Sequence, residues 1–127
     1  MIYGIGTDII EVERIRKALE LDHGFREKIF SDEEIRYCES MKNKFQHYAA
    51  RFSAKEAFMK ALGTGWRDGI RFIEIEVVHD TLGKPLLNLT GKAKEMAEKA
   101  GLGDVHLTLS HVKDSASAVV VAEKITG

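Results

Sequence analysis

The chain has 127 residues, of which 44% are hydrophobic and 31% are charged, so it is long enough to form one domain, residues 1–127, with a real core. Its 19 basic and 20 acidic residues give a formal net charge of −1, which argues against a general nucleic-acid binder because such proteins need many Lys and Arg contacts to phosphate. The sequence has one cysteine, Cys38, and neither a secretory signal nor an apolar run of about 18 residues. We therefore expect a cytoplasmic protein that has no internal disulfide and does not enter a membrane.

A strand and an amphipathic helix are predicted at the start of the chain. The segment IYGIGTDIIEV, which begins at Ile2, is rich in isoleucine and predicts a strand. Gly4 and Gly6 weaken a strand unless another backbone approaches closely, so they predict close packing at this point. From Val12 the apolar period becomes helical, and a helix over residues 12–21 is expected to bury one stripe and to expose a basic face.

Three more helices are predicted in the first half of the chain. FREKIF, from Phe25, is expected to make one or two helical turns. Ser31 and Glu34 have the S-x-x-E spacing of a capping box, which predicts the start of a third helix. A long helix is expected over residues 44–62, and it should end at Gly63 because glycine readily adopts the left-handed conformation.

The second half predicts strands around a short helix. FIEIEVVHD and PLLNLT flank the turn residues 80–85 and predict two antiparallel strands. TGKAKEMAEKAGLG predicts an amphipathic helix, and DVHLTLSHV and SASAVVVAEKI predict two strands joined at Lys113 and Asp114. The order βαααα followed by ββαββ predicts a single α+β domain with helices packed on one side of a mostly antiparallel sheet.

Glu56 has unexpected neighbours on the long helix. On a helical wheel, its own face is apolar and the opposite side is small and apolar. The neighbours on its face are Phe45, Ala49 and Phe52. We therefore expect only the strip near Arg51 and Lys55 to be solvated. Because an unpaired buried charge is unfavourable, Glu56 must reach a rim, pair with a cation or hold a metal.

Lys60 and Asp8 add to this anomaly. Lys60 follows Glu56 by four residues, so the two side chains share a helix face; a surface ion pair is the ordinary explanation, although the apolar neighbours weigh against it. Asp8 is an acid in an isoleucine-rich strand, on the same face as Gly4 and Gly6. Asp8 either caps the following helix or acts as an oxygen ligand for a hard cation such as Mg²⁺.

Three other features give weaker signals. His111 ends a strand on its apolar face, where a histidine is more often a packed core or rim residue than a catalytic one. GTGWRDG offers N–H groups to a phosphate, but it follows a helix C-terminus, whose dipole repels anions. The outer face of helix 12–21 is either a solvated basic surface or a docking surface for an acidic amphipathic helix. That face comprises Arg14, Lys17, Ala18 and Leu21, with Phe25 and Arg26 just beyond.

Three blocks of the sequence resemble the holo-acyl-carrier-protein synthase family, the small 4′-phosphopantetheinyl transferases of bacterial fatty-acid synthesis. They are GIGTDIIEVERI, RFSAKEAFMKALGTG and LTLSHVKDSASAVVVAE. Each block alone has low specificity, and the resemblance depends on their order and spacing over essentially the whole chain. It implies a homotrimer of α+β subunits with active sites at the subunit interfaces. The apolar run at residues 119–121 fits an oligomer contact.

The resemblance also implies a reaction and its residues. A serine hydroxyl of apo-acyl carrier protein attacks the phosphate that carries pantetheine in coenzyme A, and adenosine 3′,5′-bisphosphate leaves. By this resemblance Asp8 and Glu56 hold Mg²⁺ at the pyrophosphate, and Lys60 contacts the pyrophosphate as a point charge. The remaining nucleotide and phosphate contacts are expected from Arg51, Lys55, Gly63, Gly65 and His111. The proton acceptor stays open between Glu56, a water on the metal and no protein base.

Two other functions fit parts of the sequence. A non-enzymatic module that binds an acidic helix through Arg14 and Lys17 explains the basic face but leaves Asp8 and Glu56 unexplained. A related transferase that loads the carrier domain of a multifunctional synthase would share the three blocks. The short chain favours the stand-alone acyl carrier protein as the substrate.

Overall fold

The computed structural model describes residues 1–125. Its elements follow the predicted order. The predicted bounds of the helices over residues 12–21 and 44–62 are confirmed. The elements are β1 (Ile2–Glu11), α1 (Val12–Leu21), α2 (Phe25–Ile29), α3 (Asp32–Glu39), α4 (Lys44–Leu62), β2 (Ile75–His79), β3 (Pro85–Leu89), α5 (Gly91–Ala100), β4 (Leu102–His111) and β5 (Ser115–Lys124). Among these helices, none combines the length and apolar character that crossing a membrane requires.

The strands form two antiparallel sheets. The larger sheet has the order β1-β5-β4, and its register pairs Asp8 with Ala118 and Ile10 with Ala116. Strands β2 and β3 pair separately, with Ile75 opposite Leu89. The predicted α+β class, with helices packed on antiparallel strands, is confirmed.

Helix α4 lies against the inner face of the three-stranded sheet and divides the core into two clusters. Its C-terminal half packs with Leu107 and Val120, and its N-terminal half packs with Ile10 and Ile15. Cys38 is buried in the second cluster, where burial raises the pKa of its thiol to about 12. The thiol is therefore a packing group rather than a reactive one.

Gly4 and Gly6 let β1 approach the backbone of α4 directly. A Cβ at Gly4 would overlap the carbonyl oxygen of Ala61, and a Cβ at Gly6 would overlap that of Ala57. Neither glycine has a positive φ, so lack of space, and not backbone freedom, requires glycine here. The close approach that the sequence predicted is confirmed, and it presses the face of β1 that carries Asp8 against α4.

The prediction that the strip of α4 near Arg51 and Lys55 is solvated is wrong, because these residues are 1% and 0% exposed. Lys55 Nζ donates to Glu34 Oε1 at 2.8 Å and to the main-chain carbonyls of Phe72 and Ile75 at 3.2 and 2.6 Å. Burial lowers the pKa of Lys55, and the Glu34 carboxylate opposes that change. This side of α4 is covered by α3 and the start of β2, which a helical wheel of α4 alone does not reveal.

The strand predicted over FIEIEVVHD begins later than expected. Its first three residues, Phe72–Glu74, form a 3₁₀ turn. The buried Glu74 carboxylate accepts the main-chain N–H groups of Arg71 and Ala93, each at 3.2 Å. The turn thus joins the start of β2 to the N-terminal end of α5, and the strand proper begins at Ile75.

We expect Gly6→Ala to lower the free energy of unfolding by about 1–3 kcal/mol or more, because the added methyl overpacks the contact between β1 and α4. Urea unfolding followed by circular dichroism measures the change. Gly103→Ala is the matched strand control, since its Cβ would meet Ile125 Cγ1 at 3.5 Å, an ordinary contact distance. The control should change stability by less than about 0.5 kcal/mol. Equal effects of the two substitutions would contradict the close approach.

Candidate active site

Asp8, Glu56 and Lys60 meet where β1 lies against the C-terminal half of α4. Lys60 Nζ lies 3.3 Å from Asp8 Oδ1 and donates to the main-chain carbonyl of Thr7 at 3.0 Å. The side chain of Asp8 is 16% exposed and that of Lys60 is 56% exposed. The pair therefore lies at a rim, with the carboxylate inside and the ammonium group reaching towards solvent.

The charge of Glu56 is disfavoured by its surroundings. Burial raises the pKa of Glu56, the nearby Asp8 carboxylate raises it further, and Lys60 opposes the change. Two repelling carboxylates beside open space fit a bound cation. Mg²⁺ suits them because it takes one or two protein carboxylates and fills its other positions with water and phosphate oxygens. Such an ion would offset the repulsion between Asp8 and Glu56.

A groove of about 320 Å³ opens beside these carboxylates. Its lining consists of Glu56, Met59, Lys60 and residues 63–68. Gly63 ends α4 with a φ of 83°, as predicted. The following loop is held by the Asp68 carboxylate, which accepts the Thr64 hydroxyl and the Gly65 N–H. The structure therefore brings Gly63 and Gly65 to the same groove as Glu56 and Lys60.

A second polar group of residues lines a cavity of about 200 Å³ near the N-terminal half of α4. We call it the arginine–histidine cluster, and its members are Tyr37, His47, Arg51, His79 and His111. The Arg51 guanidinium lies over the Tyr37 ring, 4.2 Å from its centroid, and its Nη2 is 3.4 Å from His79 Nε2. Arg51 Nε is buried and has no hydrogen-bond partner within residues 1–125.

His47 and His79 carry little of the positive charge of this cluster. Burial lowers the pKa of His47 and of His79, and the nearby Arg51 lowers both further. His111 is exposed, and its Nδ1 lies 2.7 Å from Gln46 Oε1. Arg51 therefore supplies the permanent charge, and the cavity suits an anionic group that accepts hydrogen bonds.

The predicted site residues do not all meet within one chain. Gln46, the partner of His111, precedes Glu56 by ten residues on α4, which corresponds to about 15 Å along the helix. His111 thus lies far from Asp8, Glu56 and Lys60, and Arg51 lines the cavity of His111 rather than the groove of Glu56 and Lys60. Lys55 belongs to neither, because its side chain is enclosed and fully bonded in the interior. Its position does not support the predicted contact with a nucleotide.

Helix α1 presents the predicted basic face. Val12, Ile15 and Leu19 are buried, as predicted. Arg14 and Lys17 are exposed, Ala18 is half-buried, and Leu21 is 70% exposed. Arg16 lies between the two basic residues but is bonded to acidic neighbours on the same helix. The charge that this face offers to a partner therefore comes mainly from Arg14 and Lys17.

Phe25 and Arg26 are less exposed than predicted. Both are half-buried, because Phe25 stacks on Phe52 with ring centroids 6.5 Å apart and the Arg26 guanidinium lies 6.0 Å from the Tyr48 ring centroid. They form the edge of the α1 face rather than its centre.

Sequence reasoning missed several residues near the two polar regions. Ser53 Oγ donates to Asp8 Oδ2 at 3.0 Å. Its signal was present in the sequence, since it precedes Glu56 by three residues and Lys60 by seven and so shares their helix face. Tyr37, His47 and His79 of the arginine–histidine cluster were also missed. They gave no such signal because they come from three separate elements.

A further group of potential metal ligands lies away from both polar regions. Asp104, His106 and Glu123 belong to β4 and β5, and their ligand atoms lie within 4.8 Å of one another. His106 Nε2 is 2.5 Å from Glu123 Oε2, so a surface hydrogen bond explains the closeness of two of the three. We assign this group no function.

Comparison with known families agrees with the fold. The model of the 4′-phosphopantetheinyl transferase superfamily matches residues 4–119. The chain therefore belongs to this superfamily. The holo-[acyl-carrier-protein] synthase of Geobacter sp. (strain M21) is 51% identical over 125 residues, which cover 98% of this chain and 100% of that protein. The resemblance seen in the three sequence blocks is confirmed.

Solved structures of related synthases share the whole fold. The holo-[acyl-carrier-protein] synthase of Neisseria meningitidis superposes with a TM-score of 0.86 at 41% identity, covering 98% of this chain and 100% of that one. The Bacillus anthracis holo-(acyl-carrier-protein) synthase, in complex with coenzyme A (3′,5′-ADP), gives a TM-score of 0.81 at 39% identity, with coverage of 98% and 99%.

Proposed function

We propose that this chain transfers 4′-phosphopantetheine from coenzyme A to a serine of apo-acyl carrier protein in fatty-acid biosynthesis, with residues 1–127 as a single transferase domain. The products are holo-acyl carrier protein and adenosine 3′,5′-bisphosphate. The observation that carries the proposal is the meeting of Asp8, Glu56 and Lys60 beside an open groove. Similarity over the full chain to proteins named holo-[acyl-carrier-protein] synthase supports it, as does the related structure that holds coenzyme A.

Asp8 and Glu56 are proposed to hold Mg²⁺. A bound Mg²⁺ would neutralise charge on the pyrophosphate of coenzyme A, which is where phosphoryl transfer has most to gain. Asp8 is fixed for this role by Lys60 on one side. Glu56 would contribute a second oxygen donor from the adjoining turn of α4; burial and the Asp8 carboxylate raise its pKa, and a bound cation would oppose both effects.

The chain's other groups would bind and orient the substrates. Lys60 has an exposed ammonium group, tethered at Thr7 and Asp8, that can meet the pyrophosphate as a point charge. Gly63 and Gly65 line the groove without side chains, which permits close approach of the nucleotide.

The transfer is a displacement at phosphorus. The serine oxygen forms a bond to the phosphorus that carries pantetheine, and the bond from that phosphorus to the bridging oxygen breaks. Adenosine 3′,5′-bisphosphate leaves with the electron pair. The serine hydroxyl loses its proton as its oxygen bonds to phosphorus, and the Glu56 carboxylate is one candidate acceptor.

We propose that the active sites lie between copies of the chain in a homotrimer. A nucleotide bound beside Glu56 reaches His111 only if a neighbouring copy supplies it, since about 15 Å of helix separates Glu56 from Gln46, the partner of His111, within one chain. Arg51 lines the same cavity as His111 and would come from the same copy. The outer face of the three-stranded sheet offers a contact surface because it exposes large apolar side chains. These are Ile5, Ile9 and Val119, which are 60%, 71% and 38% exposed.

Acyl carrier protein is proposed to dock on α1. The face combines the charges of Arg14 and Lys17 with the exposed apolar surface of Leu21 and the smaller Ala18. Phe25 and Arg26 extend its edge. An acidic amphipathic helix, with its serine at one end, would match both the charge and the apolar character of this face.

We expect Asp8→Asn and Glu56→Gln each to lower the rate of transfer by on the order of 100-fold or more, because each removes a proposed metal ligand. The assay incubates the protein with coenzyme A, Mg²⁺ and apo-acyl carrier protein, and mass spectrometry detects the added phosphopantetheine. EDTA should stop the wild type, and Mg²⁺ or Mn²⁺ should restore it.

Glu98→Gln removes an exposed acid on α5 and is the control for loss of charge, so it should retain full activity. Circular dichroism should show that Asp8→Asn and Glu56→Gln keep the fold. Near-normal turnover by either at ordinary Mg²⁺ concentrations would contradict the metal assignment.

Mixing two inactive variants should restore activity if each site is shared between copies. Asp8→Asn and His111→Ala, refolded together in equal amounts, should recover about one quarter of wild-type activity, since a working site needs the intact half from each of two neighbours. Asp8→Asn mixed with Glu56→Gln should recover nothing, because both changes affect the same half. A monomer mass in light scattering at micromolar concentrations, or no recovery in the first mixture, would contradict shared sites.

Arg14→Glu should raise the KM for acyl carrier protein and leave the binding of coenzyme A nearly unchanged. Raising the salt concentration should weaken the wild type more than the variant, because the steering charge is screened over about 10 Å at 0.1 M. Lys94→Glu, on α5, makes the same change in net charge at an exposed position away from α1. An equal rise in KM for both variants would show that net charge, and not docking on α1, explains the effect.

A further inference from the structure

The contact between β1 and α4 has a regular register. Gly4 lies against Ala61 and Gly6 against Ala57, so two residues of strand match four residues of helix. The two steps are nearly equal in length, about 6.6 Å along a strand and about 6 Å along a helix. The next step pairs Asp8 with residue 53. In this register the position that faces the carboxylate is Ser53.

The hydroxyl of Ser53 is bonded to the carboxylate that it faces. Ser53 Oγ lies 3.0 Å from Asp8 Oδ2 and 3.4 Å from the carbonyl oxygen of Ala116. The side chain is 0% exposed, so water does not compete for its single proton. The shorter distance and the negative charge of the carboxylate favour the bond to Asp8.

Asp8 is thus held at both oxygens. Lys60 Nζ is 3.3 Å from Oδ1, and Ser53 Oγ is 3.0 Å from Oδ2. Glu56 lies between Ser53 and Lys60 on α4, three residues after one and four before the other. Two donors on one helix therefore fix the rotation of the Asp8 carboxylate beside Glu56.

We propose that Ser53 is a positioning residue that orients Asp8 for binding a divalent cation together with Glu56, an inference that rests on the proposed function. Ser53 touches neither the cation nor the substrates. Its hydroxyl prevents the Asp8 carboxylate from turning away from Glu56. The carboxylate therefore loses less rotational freedom when the cation binds. Bonds of this kind to a metal-binding side chain commonly change metal affinity by about 10–100-fold.

The test measures the affinity for Mn²⁺ directly, by electron paramagnetic resonance of free Mn²⁺ during a titration of the full chain, with and without coenzyme A. Ser53→Ala should bind Mn²⁺ about tenfold more weakly than the wild type. In the transfer assay it should need a correspondingly higher concentration of metal for half-maximal rate, with a smaller change in kcat at saturating metal. Ser53→Cys, which keeps a weaker donor in a similar volume, should fall between the two.

Ser40→Ala is the matched control, because it removes a hydroxyl bonded to the carbonyl of Tyr37 at the end of α3. It should leave Mn²⁺ affinity unchanged. Unaltered Mn²⁺ affinity in Ser53→Ala would overturn the inference, and so would a lower melting temperature without weaker binding, which would show a structural bond to Ala116. Neither outcome bears on the transfer of phosphopantetheine by the wild type, so the proposed function would stand. A wild type that neither binds Mn²⁺ nor transfers phosphopantetheine would overturn the proposed function as well.

Discussion

The direct contact of β1 with the backbone of α4 is the constraint on which the candidate site depends. Gly4 and Gly6 leave no side chain between the strand and the carbonyls of Ala61 and Ala57. A thicker interface would move Asp8 away from the helix and break its bond to Lys60. Gly4 and Gly6 therefore act through packing. They set the distance at which an acid from the strand can meet two charged residues from the helix.

The other side of α4 is fixed by a buried ion pair. Lys55 donates to Glu34 and to two main-chain carbonyls, and Glu34 also accepts the N–H of Val77 at 2.9 Å. Such a pair adds little net stability over apolar residues, but losing one partner costs about 3–5 kcal/mol. Because every bond depends on one arrangement of α3, α4 and β2, the pair favours that arrangement over others. Helix α4 is thereby held from two sides, and Glu56 and Lys60 project from a rigid support.

The sequence predicted features that depend on one element or on a repeating period. The bounds of α1 and α4 were correct because capping signals and apolar periods are local. Asp8 and Glu56 stood out because each was anomalous in its own element, and the family resemblance supplied their grouping with Lys60. The burial of Lys55 and Arg51 was not, since α3 and β2 cover a face that looks polar in isolation. Tyr37, His47 and His79 of the arginine–histidine cluster were missed for the same reason, as they are distant in sequence and only the fold brings them to Arg51 and His111.

The register between β1 and α4 also restricts how the chain can diverge over evolution. At most interfaces a larger residue on one side can be accommodated by a smaller one opposite. Here the helix side of the contact is main chain, which every residue carries, so no substitution on α4 can make room for a side chain at Gly4 or Gly6. Compensating pairs of substitutions are unavailable at these positions, whereas they are available in the remainder of the core. We expect Gly4 and Gly6 to be substituted more slowly among descendants of the chain than other residues that take no part in the reaction.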